Sequence, residues 1–315
     1  MTELCPSDDA DASPGSHAAR PAIRIGAVSY LNSKPLIEGL RNATDDHQLI
    51  LDYPSRLADS LAHGDMDVAL IPSIEVIRSH GDYEIVSNAC VAAHGPVRSV
   101  KVYFRVPPGQ VKTLALDEGS RTSATLARVL LAHKYGVVPK TVPLPLGQRA
   151  TESEVDAVLL IGDRAIYPVR EAYADEWDLG RLWKEWTGLP FVFATWAGRS
   201  KAVGEKVARK LAEARDLGLA NIDRIAREQA ESLKLDHALV LEYLTQNLHF
   251  TLGPAEKSAL KLFAELSAEI GLAPKGNNLV FHERVNNGTA DNSAHARAEP
   301  RSSASDREQH CVSSR

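Results

Sequence analysis

Four short polar clusters carry the side chains of this sequence best suited to hold an anion: "SYLNS" (29–33), "IPS" (71–73), "DEGSRTS" (117–123) and "IGDRA" (161–165). Each follows an apolar run of strand character and opens a segment of helical spacing. At such places unpaired backbone N–H groups and the positive end of a helix dipole face the gap beyond a strand's carboxyl end. Ser, Thr, Asn and Asp at a helix start are also ordinary N-caps contributing about 1 kcal/mol each, so any single turn says little. Together they offer more donors than capping requires. "DEGSRTS" alone holds Ser120, Thr122 and Ser123 with Arg121 among them, a set able to meet a carboxylate through hydroxyls, amides and a guanidinium fork. Ser29, Tyr30, Asn32 and Ser33 in the first turn, Ser73 in the second, and Gly162 and Asp163 in the fourth complete the candidate binding set.

Other chemistry-bearing residues weigh less. His94, beside Gly95 and Pro96 with no visible partner, reads as a loop residue rather than a proton carrier. Glu75, just inside the helix after "IPS", complements that helix's dipole better than it serves as a base. Trp177, Trp183, Trp186 and Trp196 read as core and hinge packing, with substrate stacking the lesser alternative. No His/Cys/Asp/Glu spacing resembles a metal site, no G-x-S-x-G occurs, and no glycine-rich phosphate loop follows a strand. Neither a metal nor a cofactor is expected.

The elements that must position the turns alternate in kind. "IRIGAV", "QLILDYP" and "MDVALIPS" read as strands, with helices over "KPLIEGLRN", "SRLADSLAHG" and "IEVIRSH" between and after them. That alternation predicts βαβ units and a parallel sheet covered on both faces. A second series begins after "VPPG": strand and turn in "KTLALDEGS", a helix over "TSATLARVLLAHKYG" ended by Gly136, strand and turn in "VDAVLLIGDRA". "LPFVFATWAG" is a further strand, and helical spacing dominates after Val203. The sequence thus predicts an α/β, two-lobe fold with a ligand cleft between the lobes. Lobe 1 is expected to be discontinuous, 22–104 plus 197–286, with lobe 2, 105–196, inserted through crossings near 105–110 and 189–196. Segments 1–21 and 287–315 are too polar to offset their ordering entropy and read as disordered tails.

Bulk properties narrow the function. A chain of 315 residues, 44% hydrophobic, can bury a large core, and a net charge of −5 without a basic patch argues against nucleic acid as a partner. Its three cysteines, Cys5, Cys90 and Cys311, assemble neither a disulfide framework nor a zinc cluster. No positive, apolar leader precedes Cys5, and no apolar run reaches the roughly 18 residues a membrane span needs. The expectation is a cytoplasmic protein without a membrane partner, its oligomeric state open.

Six stretches, "RIGAVSYLNSKPL", "DVALIPSIEV", "GPVRSVKVYFR", "LALDEGSRTSATLARVLL", "DAVLLIGDRA" and "EWTGLPFVFATW", in this order and at these separations resemble the chorismate dehydratase family of the futalosine route to menaquinone. The resemblance runs from about Ile23 to about His282. It implies a fold similar to periplasmic binding proteins of the second type, used as a lyase that removes water from chorismate to give 3-[(1-carboxyvinyl)oxy]benzoate. It also implies functional roles for Asn32 and for Ser99 of the "SV" motif, and a substrate carboxylate against 120–123. Rival readings are a solute receptor for small anions, the effector-binding lobe of a regulator, and the related 1,4-dihydroxy-6-naphthoate synthase of the same pathway. The receptor needs export, the regulator a DNA-binding module, and the "SYLNSKPL" opening favours the dehydratase over the synthase.

Overall fold

Strand β1 (Ile23–Val28) begins half-buried and ends fully buried, as an apolar run without turn-formers should when both sheet faces are covered. In the computed structural model, which describes residues 22–41, 46–167, 171–199, 203–276 and 278–282, β1 pairs in parallel with β2 (His47–Asp52) and β3 (Val68–Pro72). Helix α1 (Pro54–His63) crosses from β2 to β3, and α2 (Ser73–Arg78) follows β3 directly. Strand β4 (Tyr83–Ala93) then leads the chain out of the first sheet.

A second sheet is built without interruption from β5 (Val100–Phe104), β6 (Thr113–Asp117), β7 (Lys140–Leu144), β8 (Ala157–Ile161) and β9 (Asp175–Asp178). Helices α3 (Arg121–Tyr135), α4 (Asp163–Ile166) and α5 (Leu179–Thr187) belong to it. The chain returns through β10 (Phe191–Arg199) and then runs through α6 (Glu205–Ala220), α7 (Ile222–Leu233), α8 (His237–Glu242), β11 (His249–Thr251), α9 (Pro254–Glu269) and β12 (Val280–Phe281). The strand orders are β11-β4-β10-β3-β1-β2, with β12 beside β4, and β7-β6-β8-β5-β9.

Two expectations change. The sheets are mixed rather than parallel: the βαβ parts are parallel, whereas β10 runs against β3 and β4, and β5 runs against β8 and β9. A strand that carries the chain out of one sheet or back into it need not follow the βαβ direction. The exchange of chain also falls earlier than expected. Strand β5 lies in the second sheet and all of β10 in the first, so the connecting segments are 94–99 and 188–190 rather than 105–110 and 189–196. An apolar run announces a strand but not its partners. The tails, with Cys5 and Cys311, lie outside the described residues.

The segment after β1 is a 3-10 helix, Leu31–Leu40, where helical spacing had suggested an α-helix. Pro35 supplies no amide for the Leu31 carbonyl, which removes the bond that would close the first α turn. Helix α6 presses on this segment so closely that a Cβ on Gly218 would stand 1.8 Å from the Pro35 carbonyl oxygen. Aromatic packing joins the halves: Trp183 of α5 meets Phe191 of β10 edge-on at 5.1 Å and Phe263 of α9 at 6.0 Å between ring centroids. Trp177, Trp183 and Trp196 are core residues; Trp186 is the exposed one. Among the described residues no helix is long and apolar enough to cross a membrane.

Candidate active site

Where the strand ends of the two sheets face each other, a cavity is left open between them, the kind of concave place in which small-molecule sites form. Its floor is apolar, from Val91, Val97, Phe193 and Leu248 among others, and its polar groups come from Tyr30, Asn32, Ser99, Ser120, Ser123 and the Gly162 backbone. No carboxylate, imidazole or amine is among the lining side chains.

From the first sheet, the turn after β1 supplies Tyr30 and Asn32. Tyr30 is the extended residue before the 3-10 helix, and burial pushes its phenol above the usual tyrosine range, so it remains protonated and able to donate. The Oδ1 atom of Asn32 is buried without a hydrogen-bond partner among the described residues. Such an orphaned acceptor costs about 1–3 kcal/mol, a cost that a ligand hydroxyl would remove. The neighbouring candidates do structural work instead. Ser33 donates to the Val28 carbonyl, the Ser29 carbonyl accepts Lys34 Nζ at 2.6 Å, and Ser73 donates to the Val192 carbonyl at 2.7 Å.

From the second sheet, Ser120 caps α3 by accepting the Ser123 amide at 3.3 Å, and the two hydroxyl oxygens lie 3.0 Å apart. Both face the cavity. The backbone amides of Arg121 and Thr122, in the same first turn, have no hydrogen-bond partner among the described residues. Their side chains turn away from the cavity, which corrects the expected fork onto an anion. Arg121 forks onto Asp59 of α1 at 2.8 and 2.9 Å and reaches Glu75 of α2 at 3.4 Å. Thr122 accepts the Ile74 amide at 3.1 Å. Glu75 is thus paired with Arg78 and Arg121 outside the cavity lining. Asp117, buried at the end of β6, accepts the amides of Gly119 at 2.9 Å and Ile161 at 3.0 Å and pairs with Arg164, which fixes both second-sheet turns relative to each other.

The halves interlock around this space. The Asp163 carboxylate accepts the Leu31 amide at 2.9 Å, so this expected ligand-binding residue instead caps the 3-10 helix of the opposite half. Burial raises the Asp163 carboxyl above the usual carboxylate range, against the Leu31 bond and nearby Lys34, while burial lowers Lys34. Tyr30 lies against the backbone of Gly119 and Gly162: a Cβ would come within 2.8 Å of its hydroxyl at the first and 2.9 Å of its ring at the second. Gly162 also adopts φ 69° and ψ −156°, a conformation essentially restricted to glycine.

Ser99 is delivered by a constrained loop. Arg98 sits at φ 60°, rare for a residue with a side chain. The amides of Val97 and Arg98 are tied to the Asp178 carboxylate at 2.7 to 3.0 Å. Tyr243 donates to Ser99 Oγ at 2.8 Å. Burial raises the Tyr243 phenol far above its ordinary value, so it stays a donor and leaves the Ser99 proton free to point elsewhere. Tyr243 occupies a π-helical turn, Tyr243–Asn247, and sequence reading passed over it because it falls in an apolar helical stripe. The available signal was its hydroxyl, which needs a partner once buried. Sequence spacing likewise found no metal-ligand set, but the fold joins His94, expected to lack a partner, to Glu256, 162 positions away, with His249 alongside.

The cavity, with hydroxyls, an amide and a helix start but no strong side-chain base, suits the binding and reorganisation of a small anion. A family model described as menaquinone biosynthesis matches residues 23–269. A chorismate dehydratase of Thermus thermophilus is 30% identical, the alignment covering 76% of this chain and 93% of that protein. One of Campylobacter jejuni is 27% identical over 79% and 99% of the two chains. The periplasmic aliphatic sulphonate binding protein of Escherichia coli has a similar fold, with a TM-score of 0.53 at 15% identity over 91% of this chain and 98% of that one. Because the family match covers most of the chain and every lining residue of the cavity, the chain belongs to the menaquinone biosynthesis family.

Proposed function

We propose that this chain is a chorismate dehydratase of the futalosine route, a lyase that converts chorismate to 3-[(1-carboxyvinyl)oxy]benzoate and water. The observation that carries this reading is the cavity's chemistry: several neutral donors and a helix start converge on a space lined by no acidic or basic side chain. Chorismate brings two carboxylates of its own. Its C3 hydrogen is vinylogous to the ring carboxylate, so removing that proton spreads charge through C2 and C1 into the carboxylate. The returning electron pair expels the C4 hydroxyl and leaves an aromatic ring. Aromatisation supplies the driving force; the protein supplies position and charge stabilisation.

The ring carboxylate is assigned to the start of α3, against Ser120, Ser123 and the free amides of Arg121 and Thr122. The enolpyruvyl carboxylate takes the C3 proton, because the lining offers no stronger acceptor, and passes it to the leaving hydroxyl, which departs as water. Asn32 Oδ1 and the Ser99 hydroxyl orient the C4 hydroxyl and the enolpyruvyl group. The two sheets are the cores of two lobes, 22–93 with 191–282 and 100–187, that close on the substrate through segments 94–99 and 188–190. A cytoplasmic location agrees with the small number of cysteines.

Purified protein incubated with chorismate should develop the ultraviolet absorbance of a substituted benzoate. Tight binding of chorismate without turnover would instead identify a receptor. Glu75→Gln should retain turnover, since Glu75 is engaged by Arg78 and Arg121; its complete inactivation with binding intact would remove the substrate-assisted step.

A further inference from the structure

Glu256 is a buried carboxyl group outside the cavity. Its side chain is 4% exposed, and its Oε1 atom lies 2.7 Å from His94 Nε2 and 3.9 Å from His249 Nε2. The imidazole centroids are 4.2 Å apart, and the three ligand-capable atoms all fall within 4.8 Å of one another. Each residue comes from a different element: His94 follows β4, His249 opens β11, and Glu256 stands in the first turn of α9.

We propose that His94, His249 and Glu256 form a binding site for a divalent first-row transition ion of the zinc and cobalt type. Two imidazoles and one carboxylate are the donors such ions take, whereas calcium and magnesium require mostly oxygen. The carboxylate donor is also held from behind, as metal-ligating groups usually are. The Gly253 amide donates to the other Glu256 oxygen at 2.9 Å. The His94 side chain is 52% exposed, which gives the ion an entry path, leaves coordination positions for water, and lets that ring swing the short distance to ligand bonds of about 2.0–2.1 Å.

None of the three residues lines the substrate cavity, so the ion takes no part in the dehydration. It fastens β4, β11 and α9 together at the root of segment 94–99, which carries Ser99, and beside Leu248, which lines the cavity floor.

The test uses the full-length protein, stripped with a chelator and titrated with Zn²⁺ by calorimetry and with Co²⁺ by visible absorption. One equivalent of each ion should bind, Co²⁺ with the absorption bands of a low-coordinate site. His94→Ala and His249→Ala should each weaken binding by more than the about 10–100-fold that loss of an outer-shell contact costs. Glu256→Gln should abolish it; should that variant fail to fold, the two histidine variants decide. If the parent binds no stoichiometric ion, or the histidine variants bind the same equivalent as tightly, the proposal is overturned and His94 and Glu256 form an ion pair only.

Discussion

The two turns that face each other across the cavity solve the same problem differently. In the first-sheet turn, Asn32 presents a buried oxygen that nothing in the described protein satisfies. In the second-sheet turn, Ser120 and Ser123 satisfy each other at 3.0 Å while two first-turn amides remain open. One side is held unsatisfied in advance; the other is at rest and must exchange an internal bond for a ligand. The first should therefore weigh more in turnover and less in stability, the second more evenly in both.

The largest expected effect is at Asn32. Asn32→Ala should lower turnover by about 100- to 1,000-fold, the usual loss when one donor or acceptor aimed at the reacting centre is removed, while the thermal midpoint stays level or rises because an unpaired buried group has gone. Ser120→Ala should lose less activity and also some stability, since a helix cap worth about 1 kcal/mol is lost. If Ser120→Ala were the more damaging to turnover, the contrast between the turns would be broken.

Tyr243→Phe comes next. Loss of its bond to Ser99 should reduce turnover about tenfold, corresponding to about 1.4 kcal/mol. Added to Ser99→Ala, it should cost little more, because both changes remove the same oriented hydroxyl. Additive losses would detach Tyr243 from Ser99's role.

Arg121→Ala separates lobe contact from ligand contact. Its ion pairs with Asp59 and Glu75 are partly exposed and worth about 0–1 kcal/mol, so KM should rise at most about fivefold with kcat nearly unchanged. A collapse in kcat would mean that the guanidinium reaches substrate after all.

Asp163→Asn should have the smallest effect, on stability. Burial raises the Asp163 carboxyl in the folded protein, so this group favours folding below its unfolded value near 3.8 and loses that contribution as pH rises through the folded value. The amide keeps an acceptor for Leu31 and carries no charge. Variant and parent should therefore match in strong acid, with the variant gaining as pH rises; chemical denaturation at several pH values reads this directly. An advantage confined to low pH would contradict the assignment.

Most of the architecture was legible because alternating apolar runs and helix starts are local signals. The turn residues divided less predictably. Ser120 and Ser123 stand three apart and share one face of α3, but Arg121 and Thr122 between them face the opposite lobe, and their own spacing does not reveal that a second lobe covers them. Ser33 and Ser73 satisfy strand-end carbonyls, a need visible only once the strands are paired. Tyr243 and Glu256 joined Ser99 and His94 across more than a hundred positions of chain, beyond the reach of any local pattern.

Two absent methyl groups set how near the halves can come. At Gly119 and Gly162 the Tyr30 ring and hydroxyl occupy the volume that any larger residue would fill. An alanine at either position would act as a wedge at the mouth, forcing Tyr30 and the opposite backbone apart. How closely the two sides of the mouth approach is therefore decided by backbone on one side and the Tyr30 phenol on the other.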